Sequence, residues 1–284
     1  MEWLSAPGEV GALVRRWRDG GQRIAFVPTM GNLHDGHMAL VRAAREQAER
    51  VVVSIFVNPL QFGPSEDLTR YPRTLEADAA RLRAEGVDLL FTPAEAALYP
   101  HGRDAVTRIQ VPGLSDLLCG AVRPGHFSGV ATVVAKLFHI VGPDLSLFGE
   151  KDYQQLLVIR RMVEDLDFTI AVQAIPTVRE GDGLAMSSRN GYLSSEERRA
   201  APALYRALRT VAAAVDSGGL DYPALERQGL EIVRAGGLEP EYFTLCDAET
   251  LRAPAPGCNA LRVLAAARLG STRLIDNIAA GACT

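Results

Sequence analysis

The chain has 284 residues, 48% hydrophobic and 23% charged, with a formal net charge of -4. Such a composition is that of a soluble globular protein with room for one large or two modest domains. It excludes the basic footprint of a nucleic-acid binder, and its apolar stretches, broken by residues such as Lys136 and His139, fall short of membrane-spanning length.

The first residues, Met1-Glu2-Trp3-Leu4-Ser5, lack a basic segment before an apolar core, so no signal peptide and a cytoplasmic location are expected. The first predicted strand is 24–29. It runs into Pro28-Thr29-Met30-Gly31-Asn32-Leu33-His34-Asp35-Gly36-His37, after which a helical pattern covers 38–49. Strand, glycine turn and helix start direct two imidazoles and a helix N-terminus at one spot, which suits a phosphate. A metal site, which needs further ligands, and a turn with two surface histidines remain as alternatives for His34 and His37.

The next predicted strand, 51–57, is nearly all β-branched or aromatic, as in a parallel strand buried on both faces. It leads into Asn58-Pro59-Leu60-Gln61, whose amides can read a hydroxyl or carboxylate, or form a simple turn. A helix at 74–85 and a strand at 87–92 follow. Arg123-Pro124-Gly125-His126-Phe127-Ser128-Gly129 leads into a helix at 128–141, either as an anion site or as a cap with a solvated arginine. After a strand at 144–148 comes Gly149-Glu150-Lys151-Asp152-Tyr153-Gln154-Gln155, then a helix over 152–166 and a strand over 170–178. Asp152 is a helix cap or, with Glu150, a ribose or magnesium contact. Of the 30 basic residues only Lys136 and Lys151 are lysine, and the compact ammonium of Lys151 lies in a turn where a point charge matters. Lys136, in a helical apolar pattern, reads as a snorkelling residue. Alternating strands and helices predict an α/β fold, a doubly wound parallel sheet, with ligands beyond the carboxyl ends of its strands.

A boundary falls near 176, giving domains 1–176 and 177–284. After Pro176 a flexible loop, 179–183, precedes Met186-Ser187-Ser188-Arg189-Asn190, whose hydroxyls and guanidinium suit phosphates. With the histidine turn, this segment suggests an enzyme that opens ATP between its α- and β-phosphates. Ser194 and Glu197 form a capping box for a helix running to about Val215 and ended by Gly218-Gly219. A helix at 222–235 and strands at 242–246 and 261–264, with a loop at 254–257, complete a smaller α+β domain. Cys119, Cys246, Cys258 and Cys283 have neither zinc-ribbon nor redox-pair spacing and are expected to be reduced structural thiols.

Several blocks in order resemble the pantothenate synthetase (pantoate–β-alanine ligase) family over almost the whole chain. They are Pro28 to His37, Phe56 to Phe62, Tyr71-Pro72-Arg73-Thr74, Arg123 to Lys136, Phe148 to Gln155, and Asp182 to Asn190. The family belongs to the nucleotidyltransferases that share a His-x-Gly-His signature and a Lys-Met-Ser-Lys-Ser-like loop with class I aminoacyl-tRNA synthetases. The resemblance implies a Rossmann-like larger domain and a smaller C-terminal lid domain carrying the Met-Ser-Ser-Arg loop. It implies that pantoate, β-alanine and ATP, with Mg2+, give pantothenate, AMP and pyrophosphate through pantoyl adenylate. It also implies a homodimer formed through the larger domain, with no nucleic-acid or membrane partner.

Carried over residue by residue, the resemblance assigns Met30, Gly31, Asn32, Leu33, His34, Asp35, Gly36 and His37 to ATP, with His34 and His37 donating to phosphates and His37 the proton donor. Gly149, Glu150, Lys151 and Asp152 would also bind ATP, Lys151 neutralising phosphate charge. Val178 would meet adenine through its backbone, and Met186, Ser187, Ser188 and Arg189 would close over the phosphates. Gln61 and Gln155 would hold pantoate, with Gln61 also beside β-alanine. Asn58, Tyr71, Arg123 and His126 would be further pocket residues; the magnesium ligands are not assigned. Ala185 and Ser188 stand where the wider superfamily signature has lysines, and Arg189 supplies charge there. The competing readings are another nucleotidyltransferase, which would release pyrophosphate without AMP, a His-x-x-His metallohydrolase, and a catalytically inactive nucleotide-binding module.

Overall fold

In the computed structural model, residues 1–64, 66–255, 257–258 and 260–281 are described, so Cys283 and Pro256 of the expected loop lie outside the described residues. The chain divides into two units. The first comprises Met1–Asp116, Gly120–Gly149 and Gln155–Pro176; the second comprises Leu117–Cys119, Glu150–Gln154 and the chain from Thr177 onward.

The elements before Pro176 are β1 (Glu2–Leu4), α1 (Pro7–Asp19), β2 (Ile24–Thr29), α2 (Asp35–Arg45), β3 (Arg50–Ile55), α3 (Leu75–Ala84), β4 (Leu89–Phe91), α4 (Glu95–Leu98), α5 (Cys119–Val122), α6 (His126–Val141), β5 (Leu145–Gly149), α7 (Tyr153–Asp165) and β6 (Ala171–Ile175). Six strands form one parallel sheet in the order β1-β4-β3-β2-β5-β6. Chain order runs outward from β2 through β3 and β4, then returns to β5 on the other side of β2. The topological switch point therefore lies between β2 and β5, at whose carboxyl ends such sheets bind ligands.

Both faces of the sheet are covered, which is why its strands read as continuous apolar runs. One face sets Ala25, Val27, Val51, Val53, Leu90, Leu145 and Leu147 against Met38, Val41 and Ala44 of α2 and Leu82 of α3. On the other, Phe26 and Phe148 each meet Phe138 of α6 with ring centroids 6.4 Å apart. Burying each such side chain contributes about 1.5–3 kcal/mol.

In the second unit, α8 (Ser195–Ala200), α9 (Ala203–Asp216) and α10 (Tyr222–Ala235) accompany an antiparallel sheet of β7 (Glu239–Asp247), β8 (Leu261–Leu269) and β9 (Thr272–Ala280), with β8 central. Leu204, Leu208 and Val211 of α9 share its core with Phe243, Val263 and Leu274. The doubly wound parallel sheet and smaller α+β domain expected from the sequence are thus the architecture found.

Some details differ from the sequence reading. β1, α1 and β9 were not anticipated. The long helix after Ser194 breaks at Pro202, which has no N–H to continue it, so α8 and α9 are separate. The capping box of Ser194 and Glu197 is present. α6 starts at His126 rather than Ser128, because Gly125, at φ 82°, turns the chain and caps it. No described helix is long and apolar enough to cross a membrane. Cys119, Cys246 and Cys258 are free thiols, the first two buried.

Candidate active site

In the first unit, the histidine turn leaves the carboxyl end of β2. The Thr29 hydroxyl donates to the Ser54 carbonyl (2.8 Å) and accepts from the Gly31 N–H (3.2 Å). Gly31 has φ 80° and Asn32 φ 50°, two successive left-handed residues. A Cβ at Gly31 would lie 3.0 Å from the Ile55 side chain and 3.1 Å from Asp78 Oδ2, so glycine fits there on both counts. The N–H groups of Asn32 and Leu33 each donate to the buried Asp78 carboxylate at 2.8 Å. Arg81 pairs with Asp35 and donates to the Leu33 carbonyl (3.2 Å).

His34 is the N-cap of α2 and His37 its third residue, and they form a reciprocal capping box. His34 Nδ1 accepts from the Gly36 N–H and His37 Nδ1 from the His34 N–H, both at 3.2 Å, with ring centroids 4.1 Å apart. A nitrogen that accepts carries no proton, so each neutral imidazole carries its hydrogen on Nε2. Both rings are therefore N–H donors at the positive end of a helix, the chemistry an anion needs. The sequence left a metal reading open; a resident zinc requires at least a third protein ligand. Among the described residues no group of three His, Cys, Asp or Glu side chains is placed to hold a metal ion.

Asn58 and Gln61 form a buried amide pair. Asn58 caps the 3-10 turn Pro59–Gln61, accepting from the Leu60 N–H (3.3 Å) and the Tyr99 hydroxyl (2.8 Å). Burial raises the Tyr99 phenol above its ordinary pKa, keeping it protonated as that donor. Asn58 Nδ2 donates to Gln61 Oε1 and to the Gly129 carbonyl, both at 3.1 Å, and Gln61 Nε2 donates to Met30 Sδ at 2.9 Å. This network fixes the amide of Gln61, its oxygen turned to Asn58 and its NH2 to Met30. A Cβ at Gly129 would run into the Leu60 carbonyl, so glycine lets α6 pack directly against the turn.

Arg123 and His126 brace the same turn from behind. His126 Nδ1 (2.8 Å) and Arg123 (3.2 Å) both donate to the Gln61 carbonyl, and His126 Nε2 accepts from Arg123 at 3.1 Å. Arg123 also makes a bidentate pair with Glu66 at 2.6 and 2.5 Å. Burial pushes the Glu66 carboxyl up, but the hydrogen bond and charge of Arg123 outweigh it and hold the group below the usual carboxylate range. Arg123 is therefore not the solvated cap residue that one reading allowed. Tyr71 is buried with its ring 5.9 Å from that of Phe62. Gln155, on the first turn of α7, is half-buried and makes no side-chain hydrogen bond among the described residues.

In the second unit, the turn Glu150–Asp152 is held by Asn277 of β9. Asn277 Nδ2 donates to the carbonyls of Glu150 and Lys151, both at 2.9 Å. Arg262 donates to Asn277 Oδ1 (2.7 Å) and Glu150 (3.1 Å), with its guanidinium 3.9 Å from the centre of the Tyr153 ring. The Lys151 side chain is 18% exposed and its ammonium lies 3.7 Å from Asp152. Neighbouring Asp276 makes a buried bidentate pair with Arg179, at 2.6 and 2.9 Å. Burial pushes the Asp276 carboxyl above the usual carboxylate range, against the opposing pull of Arg179, the Asn277 N–H and Lys151.

Arg179 also organises the approach to Met186–Arg189. It stacks 3.8 Å from the Tyr205 ring, donates to the Gly183 carbonyl (3.1 Å) and bridges antiparallel to Ala185. The Val178 carbonyl accepts from the Met186 N–H at 3.0 Å. Ser187 then caps the 3-10 turn Ser188–Tyr192, accepting from the Arg189 N–H (3.2 Å), and Asn190 Nδ2 donates to the Ala185 carbonyl (3.1 Å).

Within the first unit the histidine turn meets the Gln61 amide through Met30, and within the second the Lys151 turn sits on β9. The sequence reading missed Asp78, Tyr99, Asn277, Arg262, Asp276 and Arg179. Asp78 carried the signal of an ordinary acid in a helix first turn, and Asp276-Asn277 that of a polar pair outside any expected strand.

Comparison with known proteins converges on one family. Residues 2–279 match the family profile described as pantoate-beta-alanine ligase. A pantothenate synthetase of Thioalkalivibrio sulfidiphilus is 59% identical over 98% of this chain and 97% of its own length. Among solved structures, the pantothenate synthetase of Thermus thermophilus superposes with a TM-score of 0.92 at 50% identity, covering 98% of this chain and 99% of that one. The pantoate-beta-alanine ligase of Francisella tularensis, complexed with beta-gamma ATP and beta-alanine, gives 0.82 at 35% identity, covering 98% and 97%. With the histidine turn, the buried amide pair and the lysine turn all inside the matched span, this chain belongs to the pantoate–β-alanine ligase family.

Proposed function

We infer that this chain is a pantoate–β-alanine ligase that condenses pantoate with β-alanine at the expense of ATP, giving pantothenate, AMP and pyrophosphate. The observation that carries the reading is the match to this one family over residues 2–279. A carboxylate is a poor acyl donor until its oxygen becomes a good leaving group. In the first step a pantoate carboxylate oxygen attacks the α-phosphorus, the bond from that phosphorus to the β-phosphate bridge breaks, and pyrophosphate leaves. In the second, the β-alanine amine attacks the acyl carbon of pantoyl adenylate, the C–O bond to AMP breaks, and the nitrogen loses a proton. Catalysis is positioning plus stabilisation of charge developing on phosphate oxygens.

The proposed roles follow from the donor inventory. His34 and His37 donate Nε2–H to phosphate oxygens from the turn Met30–His37, His37 following charge onto the leaving group. In that turn the N–H groups of Asn32 and Leu33 are engaged by Asp78, so nucleotide contacts there fall to other atoms. Lys151, in the run Gly149–Asp152, neutralises pyrophosphate as it departs. Val178 and Met186–Arg189 complete the nucleotide set. Mg2+ arrives as the MgATP substrate complex, bound through the phosphates. In this reading residues 1–176 bind ATP and pantoate, and 177–284 bring the Met-Ser-Ser-Arg loop.

Pantoate is held by Gln61 and Gln155, with Asn58 and Tyr71 walling the pocket and Arg123 and His126 fixing the Gln61 backbone. Because Gln61 Oε1 is taken by Asn58, the side chain offers N–H to a substrate oxygen. Gln61→Ala is expected to weaken pantoate binding by about 1–3 kcal/mol. Titration calorimetry checks this, and an unchanged pantoate affinity rejects the role. Two copies joined through the larger unit form the proposed assembly, and a solution mass equal to a single chain rejects it.

Isotope transfer tests the reaction. With pantoate labelled in its carboxylate by 18O, AMP is expected to gain one labelled oxygen, because that oxygen bonds the α-phosphorus and stays with it when the amide forms. Label found instead in pyrophosphate or orthophosphate, or retained wholly in pantothenate, overturns the mechanism.

A further inference from the structure

We propose that Asp78 is a positioning residue that sets the aim of the His34 and His37 imidazoles. This rests on the ligase reading and extends it to a residue that touches no substrate. Asp78 lies in α3, 2% exposed, and no arginine, lysine or histidine pairs with it among the described residues. Its two oxygens receive three bonds: Oδ1 from the Leu33 N–H at 2.8 Å, and Oδ2 from the Asn32 N–H at 2.8 Å and the Thr74 hydroxyl at 3.1 Å. A buried carboxylate without a cation is costly unless its lone pairs are filled. Here they are filled by the backbone of the histidine turn.

The geometry explains the need. Gly31 and Asn32 are both left-handed, at φ 80° and 50°, the second in a non-glycine residue. The successive N–H groups of Asn32 and Leu33 leave this bend toward the same carboxylate, one to each oxygen. Asp78 thus ties the bend to α3 through both oxygens, a restraint that does not depend on bound nucleotide. The next residue is His34, whose Nδ1 accepts from Gly36 while its own N–H fixes His37 Nδ1. The carboxylate holds the bend, the bend places the N-cap, and the capping box selects the Nε2–H form of both rings. Arg81, one turn along α3, holds the Leu33 carbonyl and Asp35, so α3 grips the turn on both sides of His34.

Asp78→Asn tests this. The amide keeps the shape and one acceptor, but turns an NH2 toward the N–H of either Leu33 or Asn32. The measurements on the full-length chain are the rate of the pyrophosphate burst with MgATP and pantoate, pantoate affinity by calorimetry, and the 15N spectrum of labelled histidines. The expected result is a 10- to 100-fold slower burst, pantoate affinity within twofold of the parent, and loss of the single Nε2–H tautomer at His34 and His37. A burst within threefold of the parent overturns the proposal. So does a burst and pantoate affinity lost together, which marks general damage, or an unchanged histidine spectrum. If the asparagine variant does not fold, Asp78→Ser, which keeps an acceptor and adds no amide donor, is read by the same three measurements. A parent chain that gives no burst instead refutes the ligase reading, a result distinct from any failure of Asp78.

Discussion

Lys151→Ala is expected to slow adenylate formation by about 10²–10³-fold, roughly 3–4 kcal/mol of transition-state stabilisation, while nucleotide affinity changes far less. The difference follows from when the charge is needed. In the proposed reaction ATP binds as its magnesium complex, whereas pyrophosphate gathers negative charge as the α-phosphorus bond breaks, and an interaction that strengthens only then raises rate rather than affinity. The turn that carries the ammonium is held in place: the carbonyls of Glu150 and Lys151 are both bound by Asn277, which is gripped in turn by Arg262. Lys151→Arg is expected to recover little, because a planar fork cannot occupy the place of a compact ammonium. Single-turnover pyrophosphate release gives the rate and nucleotide titration the affinity. Near-parental single-turnover rates in the alanine variant would remove Lys151 from the chemistry.

His37→Ala is expected to cost a similar factor in the same step, about 10²–10³-fold, together with about 1 kcal/mol of stability from the lost half of the capping box. The two effects come from different nitrogens. Nε2–H is the proposed phosphate donor, and Nδ1 accepts from the His34 N–H. His37→Asn separates them, since its oxygen retains a cap acceptor on a shorter reach. Its melting temperature should approach that of the parent while its burst stays slow. If thermal stability and burst rate recover together, His37 acts only through the turn.

The parallel sheet was legible because burial on both faces writes β-branched runs, as at Val51-Val52-Val53, that need no partner to be recognised. The helix Pro7–Asp19 was overlooked although its signals are present: proline in the first turn, Glu9 early, Arg16 and Arg18 late, and Val10, Leu13 and Val14 at helical spacing. Gly8 and Gly11 interrupt that pattern. β9 was hidden for a better reason. Asp276 and Asn277 are adjacent and both buried, which breaks the alternation of a half-buried strand, and their burial makes sense only once Arg179 and the Glu150–Lys151 carbonyls are seen beside them. Likewise, the histidine turn could be found because its parts are contiguous. Asp78, 46 positions from Asn32, could not, since nothing in the local pattern of α3 distinguishes it from the acids common in a helix first turn. The residues proposed to meet a ligand lie in short motifs, whereas those that hold the motifs in place are scattered and visible only in three dimensions.

The most direct test of the account is a quenched-flow experiment with the chain, MgATP and pantoate, first without β-alanine. One equivalent of pyrophosphate per active chain is predicted in a single burst without continued AMP release. Addition of β-alanine should then start steady production of AMP and pantothenate in equal amounts. Pyrophosphate that forms only when β-alanine is present, or no cleavage of ATP with pantoate at all, would contradict an adenylate-forming ligase.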